Sequence, residues 1–573
     1  MRFRAYGLRA AGVCLAFAGL FGGLTARVVD LQLGEHDHLR QAYKQKVVFR
    51  KKLQGVRGRI VDRNGRVLAL DEVRKNVAVD PEFIHRHNQP DKVHAALSQF
   101  LKVEPALIGT RIADKSRRFY YLEKLVDDHR AGELDSYLKE HQLGKGVVFE
   151  KVKTRTYPHG NLLSHIIGFE NRDGVGSAGI EQEMDRFLKG KSGLRIGEKD
   201  GRRREMVNRR NVQIDPEEGA DVMLTVDQYL QYGVEEALEK AMSLYNAEGA
   251  WAVILDSRSG AILSMASKPD YNLNTFNKAS PASRKNQALQ ATYEPGSIMK
   301  PLVFAAALNE GLVDPEEMID CENGTWFHRN RPLRDYHPYG ELSAVDVMRK
   351  SSNIGTAKIG LRMEPATLYQ YFNEFGFGVR TGIDLPGEEN GISHPPHRWD
   401  SLTHSRVSIG HAITVTALQM AAAINVIAND GQWIAPYLVS QVHSEEGSLL
   451  YQRLPGVDAR QVLRPETARQ MREIMAKITE TGGTGRRASF EGYRVAGKTG
   501  TAEKTLPGGG YSKDKNIASF AGFFPAENPV LTIVVSVDEP KGERRTGGSV
   551  AAPVFREIAK YAAGYMAIPP EGF

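Results

Sequence analysis

The sequence predicts an α+β protein whose C-terminal domain is built on one five-stranded antiparallel sheet, and three observations carry that expectation. Residues 250–255 and 261–266 are apolar runs joined by a turn at 256–260, which reads as a hairpin. Three further strand candidates, at 493–501, 518–524 and 530–537, stand together near the C-terminus, and the loop joining the last two is short enough to force antiparallel pairing. Between the two sets lies a helical middle that includes residues 415–428, so the ends of the domain meet in one sheet with helices packed beside it.

The remaining elements follow in order. The domain opens near Gly219, with a short strand at 222–226 and a helix at 228–242, and it closes with a helix at 553–566. Ahead of it, residues 41–52 are basic and polar and read as a stalk. The run Arg57-Gly58-Arg59-Ile60-Val61-Asp62-Arg63-Asn64-Gly65-Arg66-Val67-Leu68-Ala69 reads as a hairpin about an Asn-Gly turn. Residues 80–145 carry helical periodicity in short pieces, such as 93–101, and 160–190 is loop-rich up to a helical stretch at 180–188.

The chain has 573 residues, 41% of them hydrophobic, which suits roughly two to four globular domains. The net charge of +7 comes from Lys and Arg spread along the whole chain, which argues against nucleic-acid binding. The densest run, Arg202, Arg203, Arg204, Arg209 and Arg210, reads as the solvated face of a linker. Cys14 and Cys321 lie in different regions, so no disulfide is expected. Residues 10–26 hold no charge and span about 25 Å as a helix, enough to cross a membrane with snorkelling flanks. Arg2, Arg4 and Arg9 precede the span, which puts the N-terminus in the cytoplasm. A cleaved signal peptide is the alternative, but the cleavage pattern near Leu24, Thr25 and Ala26 is poor. The expected layout is a cytoplasmic tail (1–9), an anchor (10–27), an N-terminal domain (28–218) and a C-terminal domain (219–573).

Three short motifs in the C-terminal domain bear chemistry. In Ser297-Ile298-Met299-Lys300, a Pro295-Gly296 turn precedes the serine and an apolar helix follows it. Ser297 thus stands near a helix N-terminus, with Lys300 on the same face. A serine needs a base to become nucleophilic, and a lysine is such a base when burial or a nearby cation lowers its pKa. In Ser351-Ser352-Asn353, a hydroxyl can relay a proton and an amide can orient a lysine or a substrate. In Lys498-Thr499-Gly500-Thr501, the lysine brings a second cation, the threonines offer hydroxyls to a carboxylate, and Gly500 leaves room for a close backbone approach.

With their contexts Tyr293-Glu294-Pro295-Gly296, Lys350-Ser351-Ser352-Asn353 and Gly497-Lys498-Thr499-Gly500-Thr501-Ala502, these motifs resemble those of the class B penicillin-binding proteins. The resemblance extends to the hairpin at 57–69, to Arg155-Thr156-Tyr157-Pro158 and Gly179-Ile180-Glu181 in the N-terminal domain, and to Phe377-Gly378, residues 381–388 and Gly547-Gly548 in the C-terminal one. Asn353, where elongation-type relatives usually carry Asp, implies the cell-division branch. One departure is Gly410-His411-Ala412, where relatives tend to have a second glycine.

The resemblance implies a penicillin-binding transpeptidase domain behind a transmembrane helix and an elongated non-catalytic pedestal. It implies a peptidoglycan D,D-transpeptidase at the septum, trapped by β-lactam antibiotics. Catalysis falls to Ser297, Lys300, Ser351, Asn353 and Lys498, and substrate binding to Thr499, Gly500 and Thr501. The base is Lys300 or is shared with Lys498. No metal or organic cofactor is called for. The partners implied are peptidoglycan stem peptides, the cytoplasmic membrane, a multi-spanning membrane glycosyltransferase and other division proteins. His85, His87, His394 and His397 read as surface residues, Asp62, Glu181 and Glu294 as structural acids, and Gly508-Gly509-Gly510 as a mobile loop beside the site. A β-lactamase or β-lactam sensor shares the motifs but lacks a visible acid for deacylation, and a non-catalytic division scaffold remains the rival from outside enzymes.

Overall fold

The computed structural model describes residues 2–53, 55–87, 89–200, 205–506 and 510–571. Of the features read from the sequence, Arg202, Arg203, Arg204, Gly508 and Gly509 lie outside the described residues. The chain separates into two compact units, Met1–Val56 with Gly190–Glu218, and Arg57–Lys189 with Gly219–Phe573.

The first unit opens with the helix Arg2–Val29, continued by a π-helical turn at Asp30–Gly34. Gly7–Gly34 is long and apolar enough to cross a membrane, with a mean hydropathy of 1.7. The stretch read as a stalk belongs to a second helix, His36–Val47, and a strand, Val48–Leu53. That strand pairs antiparallel with Gly193–Lys199, which pairs in turn with Glu205–Ile214. Arg209 and Arg210 therefore sit on a β-strand, not a linker, and they hold Glu198 at 3.0 Å and Glu205 at 2.6 Å.

In the second unit the hairpin at 57–69 forms as read: Ile60 pairs with Ala69 and Val61 with Val67. Asp62 is buried and closes the turn, accepting from the backbone N–H of Asn64 and Arg66. The second strand runs long, Val67–Val79, and pairs with both Tyr120–Val126 and Val147–Thr156. Apolar faces of the short helices Pro90–Phe100, Pro105–Ala113 and Asp128–Glu140 cover its far end around Val77 and Val79. His85 and His87 are half-buried here on backbone carbonyls of Ile112 and Phe83, more enclosed than the surface reading.

The three N-terminal motifs meet at one buried ion cluster. Glu181, fully buried, takes Arg57 Nε at 2.7 Å and Arg155 Nε at 2.6 Å, while Arg57 Nη1 reaches Asp185 at 2.6 Å and Arg155 Nη1 reaches Asp71 at 3.4 Å. Charges this deep are tolerated because each has a partner. The strand Asp221–Leu224 then pairs parallel with Ile60–Val61 and, through its other edge, antiparallel with Val439–His443. One sheet thus ties the N-terminal elements of this unit to the catalytic ones.

The predicted five-stranded sheet is present, in the order Ile262–Lys268, Gly249–Asp256, Leu531–Asp538, Tyr511–Phe524, Ala496–Thr505, antiparallel throughout. Both faces are covered, which is why the central strands are buried along nearly their whole length. Gln228–Tyr245 and Ala551–Tyr565 pack on one face, where Leu531, Ile533, Val535 and Val537 point. Ala417–Ala428, buried at every residue, packs on the other. The edge strand begins three residues later than the sequence reading and runs on to Thr505, and its partner extends back to Tyr511, so the hairpin is longer than the apolar pattern alone reveals.

Replacing Glu181 with Ala leaves two buried guanidiniums without their shared carboxylate. This should lower unfolding stability by roughly 3–5 kcal/mol, read as a lower urea midpoint by circular dichroism, and an unchanged midpoint would remove the cluster from the list of structural constraints.

Candidate active site

Ser297 stands on a single 3₁₀ turn, Gly296–Met299, that runs directly into the helix Lys300–Asn309. Pro301 falls in the first helical turn, where a missing N–H costs nothing. Ser297 is half-exposed, whereas Ile298, Met299 and Lys300 are buried. The turn is pinned from behind, where Gly296 N–H donates to Gly410 O at 3.0 Å.

Ser351 is delivered by a sharp break between two helices. Ala344–Lys350 ends at Ser351, whose φ of +61° is left-handed, and Asn353–Gly360 begins two residues later with Ser352 as its N-cap. That turn aims Ser351 at both lysines. Lys300 Nζ donates to Ser351 O at 2.7 Å and to Asn353 Oδ1 at 2.7 Å, and lies 3.2 Å from Ser351 Oγ. Lys498 Nζ approaches the same Oγ at 2.8 Å.

The edge strand brings Lys498, Thr499, Gly500 and Thr501 alongside. A Cβ on Gly500 would come within 2.9 Å of Ile298 Cγ2 and 3.2 Å of Pro295 O. The close approach that this glycine permits is therefore to the Ser297 turn of the same chain. Thr499 Oγ1 donates to Thr484 Oγ1 at 3.2 Å, and Thr501 Oγ1 accepts from Gly547 N–H at 3.0 Å. All eight residues singled out in the sequence converge on this one cleft.

Several supporting residues were not found by sequence reasoning. Asp335 takes Ser352 Oγ at 2.6 Å and the backbone N–H of Asn353 and Ile354, anchoring the helix that presents Asn353. It lies in no motif, and only its place just after a strand-like run hinted at it. Thr484 is flanked by Gly482, Gly483 and Gly485, a run that marks a turn but not a role. Glu294 accepts from Ala412 N–H at 2.9 Å and sits 2.8 Å from His411 Nδ1.

With this geometry described, comparison with known proteins is direct. Residues 250–560 match the penicillin binding protein transpeptidase domain, and residues 52–224 the penicillin-binding protein dimerisation domain. The chain is 32% identical to the probable peptidoglycan D,D-transpeptidase PenA of Neisseria meningitidis over 97% of its own length and 93% of that protein's. It is 31% identical to the peptidoglycan D,D-transpeptidase FtsI of Escherichia coli over 98% and 91%. Among solved structures it resembles penicillin binding protein 3 of Mycobacterium tuberculosis in complex with ampicillin, at a TM-score of 0.72 and 26% identity, covering 91% of this chain and 98% of that one. The chain belongs to the class B penicillin-binding proteins.

The electrostatics of this penicillin-binding protein fit nucleophile activation. Both lysines are fully buried. Burial holds the Lys300 pKa down to about 7, against the opposing pull of the Asp335 carboxylate. Burial and the neighbouring Lys300 charge push Lys498 well below the ordinary lysine range. A neutral Lys300 spends its two N–H groups on Ser351 O and Asn353 Oδ1, which leaves its lone pair for a hydroxyl proton.

If the neutral amine is the base, the acylation rate should rise with pH through about 7 and level off above it, falling about tenfold per unit below. Asp335→Asn removes the charge that favours protonated Lys300, so the midpoint should move to lower pH in stopped-flow acylation. A midpoint that stays in place or rises would rule out this coupling.

Proposed function

We propose that this chain is a septal-type peptidoglycan D,D-transpeptidase that works through a serine acyl-enzyme. It would be held by its N-terminal helix, with the N-terminus in the cytoplasm and the catalytic domain outside the membrane. The observation that carries the reading is Ser351 Oγ, set between two buried lysine amines in the cleft that holds Ser297. Two adjacent buried amines with lowered pKa values are costly to keep unless one of them must accept a proton.

In this reading Lys300 removes the Ser297 proton and Ser297 Oγ attacks the carbonyl of the penultimate D-Ala of a stem peptide. The N–H groups of Ser297 and Thr501 stabilise the oxyanion. Thr499 and Thr501 hold the terminal carboxylate, with Gly500 keeping the strand against the nucleophile turn. The proton passes from Lys300 through Ser351 to the departing D-Ala amine, with Lys498 supplying positive charge and Asn353 orienting Lys300. An amine from a second stem peptide then attacks the ester, forms the cross-link and releases Ser297. Asn353 and the likeness to FtsI of Escherichia coli support the division branch. A separate glycan polymerase, of the multi-spanning membrane type, and other division proteins would complete the machinery.

Incubating the full chain with a fluorescent penicillin should give a stable covalent band on a denaturing gel, and Ser297→Ala should give none. A band that decays rapidly would point to a β-lactamase. No band on folded parent protein would sink the enzyme reading.

A further inference from the structure

The hairpin Thr325–His328 with Arg331–Arg334 forms one bank of the catalytic cleft. Its inner face is fixed: Leu333 and Trp326 pack on Ile354, Ala357 and Ile409, and Lys358 Nζ lies 5.5 Å over the Trp326 ring. Asn353 Nδ2 donates to Arg334 O at 2.8 Å, so the hairpin is joined directly to a residue of the catalytic array. Its outer face is open. Phe327 is 69% exposed, Arg334 is exposed beside it, and Tyr336 just beyond is 86% exposed.

The charge of this bank is one-sided. Arg329, Arg331 and Arg334 are exposed, and among the described residues none of them forms an ion pair. Arginines elsewhere in the same domain, such as Arg349, Arg362 and Arg472, each hold a carboxylate. Arg406 adds a fourth cation, its Nη2 donating to Pro332 O at 3.4 Å. Burial and the charges of Arg329 and Arg406 together push the His328 pKa down. The one acid at the base of the hairpin, Asp335, is spent on Ser352, Asn353 and Ile354. The tip is also unusual. Arg329 and Asn330 form its two-residue turn at φ +50° and +60°, a left-handed pair for which Asn-Gly is the favoured sequence. An arginine held there without conformational benefit points to a use for its side chain.

We propose that this hairpin is a carboxylate-recognition subsite for the stem peptide, in which the guanidinium groups of Arg329, Arg331 and Arg334 engage acidic groups and Phe327 and Tyr336 cover the apolar part of the peptide. The inference rests on the transpeptidase reading and specifies what that site selects. Planar guanidinium forks suit carboxylates, and a substrate reaching Ser297 past Asn353 must cross this bank. The acid belongs either to the donor peptide upstream of its scissile bond or to the acceptor peptide near its amine.

Two synthetic stem peptides, one with a free side-chain carboxylate and one with that group amidated, separate these outcomes on the full chain in detergent. The donor arm reads acylation of Ser297 by intact-protein mass, and the acceptor arm reads aminolysis of an acyl-enzyme preformed from a thioester donor. The parent should favour the carboxylate peptide about tenfold in kcat/KM in one of the two arms, and that arm names the source. The double variant Arg329→Gln, Arg331→Gln should bring the ratio close to one, and Arg329→Lys, Arg331→Lys should retain most of it. Independently of any variant, raising salt from about 50 to about 500 mM should shrink the parent's ratio, as expected for exposed charges. Equal rates for the two peptides in both arms, or a variant that slows both while keeping their ratio, would overturn the subsite. Absence of penicillin labelling on the parent would instead overturn the transpeptidase reading.

Discussion

The structure depends on keeping two lysine amines dry within reach of one serine hydroxyl. An ammonium group loses several kcal/mol on leaving water, so Lys300 and Lys498 are held in place only by what surrounds them. Their donors are spent on fixed oxygens: Ser351 O, Asn353 Oδ1, Ser351 Oγ and Thr499 O. Each of those oxygens belongs to a different local structure, and each structure is rigid for its own reason. Lys300 begins a helix that is buried along nearly its whole length, Ser351 occupies a left-handed break between helices, and Lys498 lies on a sheet strand locked by its partner from Ala496 to Thr505. The sheet and the helical middle come from opposite ends of the domain sequence, so the array exists only when the whole domain has folded.

Asp335 shows how the array is balanced. Its carboxylate is not among the reacting groups, yet it fixes the helix start at Asn353 and opposes the fall in the Lys300 pKa. A more distant or protonated acid would leave Lys300 neutral over a wider pH range but would also release the Ser352–Asn353 turn. One side chain therefore sets both the geometry and the protonation of the base, which explains why a residue outside every motif matters to the site.

Much of this was legible in the sequence, and the limits have physical causes. The five strands could be read because a sheet covered on both faces demands uninterrupted apolar runs, as in Leu531–Asp538. The site residues could be read because each falls in a short motif whose spacing is imposed by one helical turn or one strand end. The far halves of the edge hairpin could not, since Glu503, Lys504, Ser512 and Asp514 carry no apolar signal, and backbone pairing alone extends those strands. Arg209 and Arg210 looked like a linker for the same reason: their strand is polar and is secured by ion pairs with Glu198 and Glu205. Asp335 and Thr484 act through contacts with residues distant in sequence, which no local pattern encodes.

The Gly410-His411-Ala412 segment shows how a departure from the family pattern is accommodated. Gly410 is required, because a Cβ there would lie 2.1 Å from Gly296 O, and this contact seats the nucleophile turn. Two residues on, Ala412 takes φ +58°, a left-handed backbone that costs an alanine about 1 kcal/mol relative to glycine. Glu294 offsets that strain by accepting the Ala412 N–H at 2.9 Å, and it also engages His411 and the Tyr511 hydroxyl. Burial alone would raise the Glu294 pKa, but the hydrogen bonds and charge around it hold it below the ordinary value, so it stays an anion able to bind all three. Glu294 directly precedes Pro295, Gly296 and Ser297, so the carboxylate that stabilises an unfavourable loop conformation also fixes where the nucleophile turn begins. The substitution of alanine for glycine is thus tolerated because the loop's conformation is dictated from the nucleophile side, by an interaction the turn itself requires.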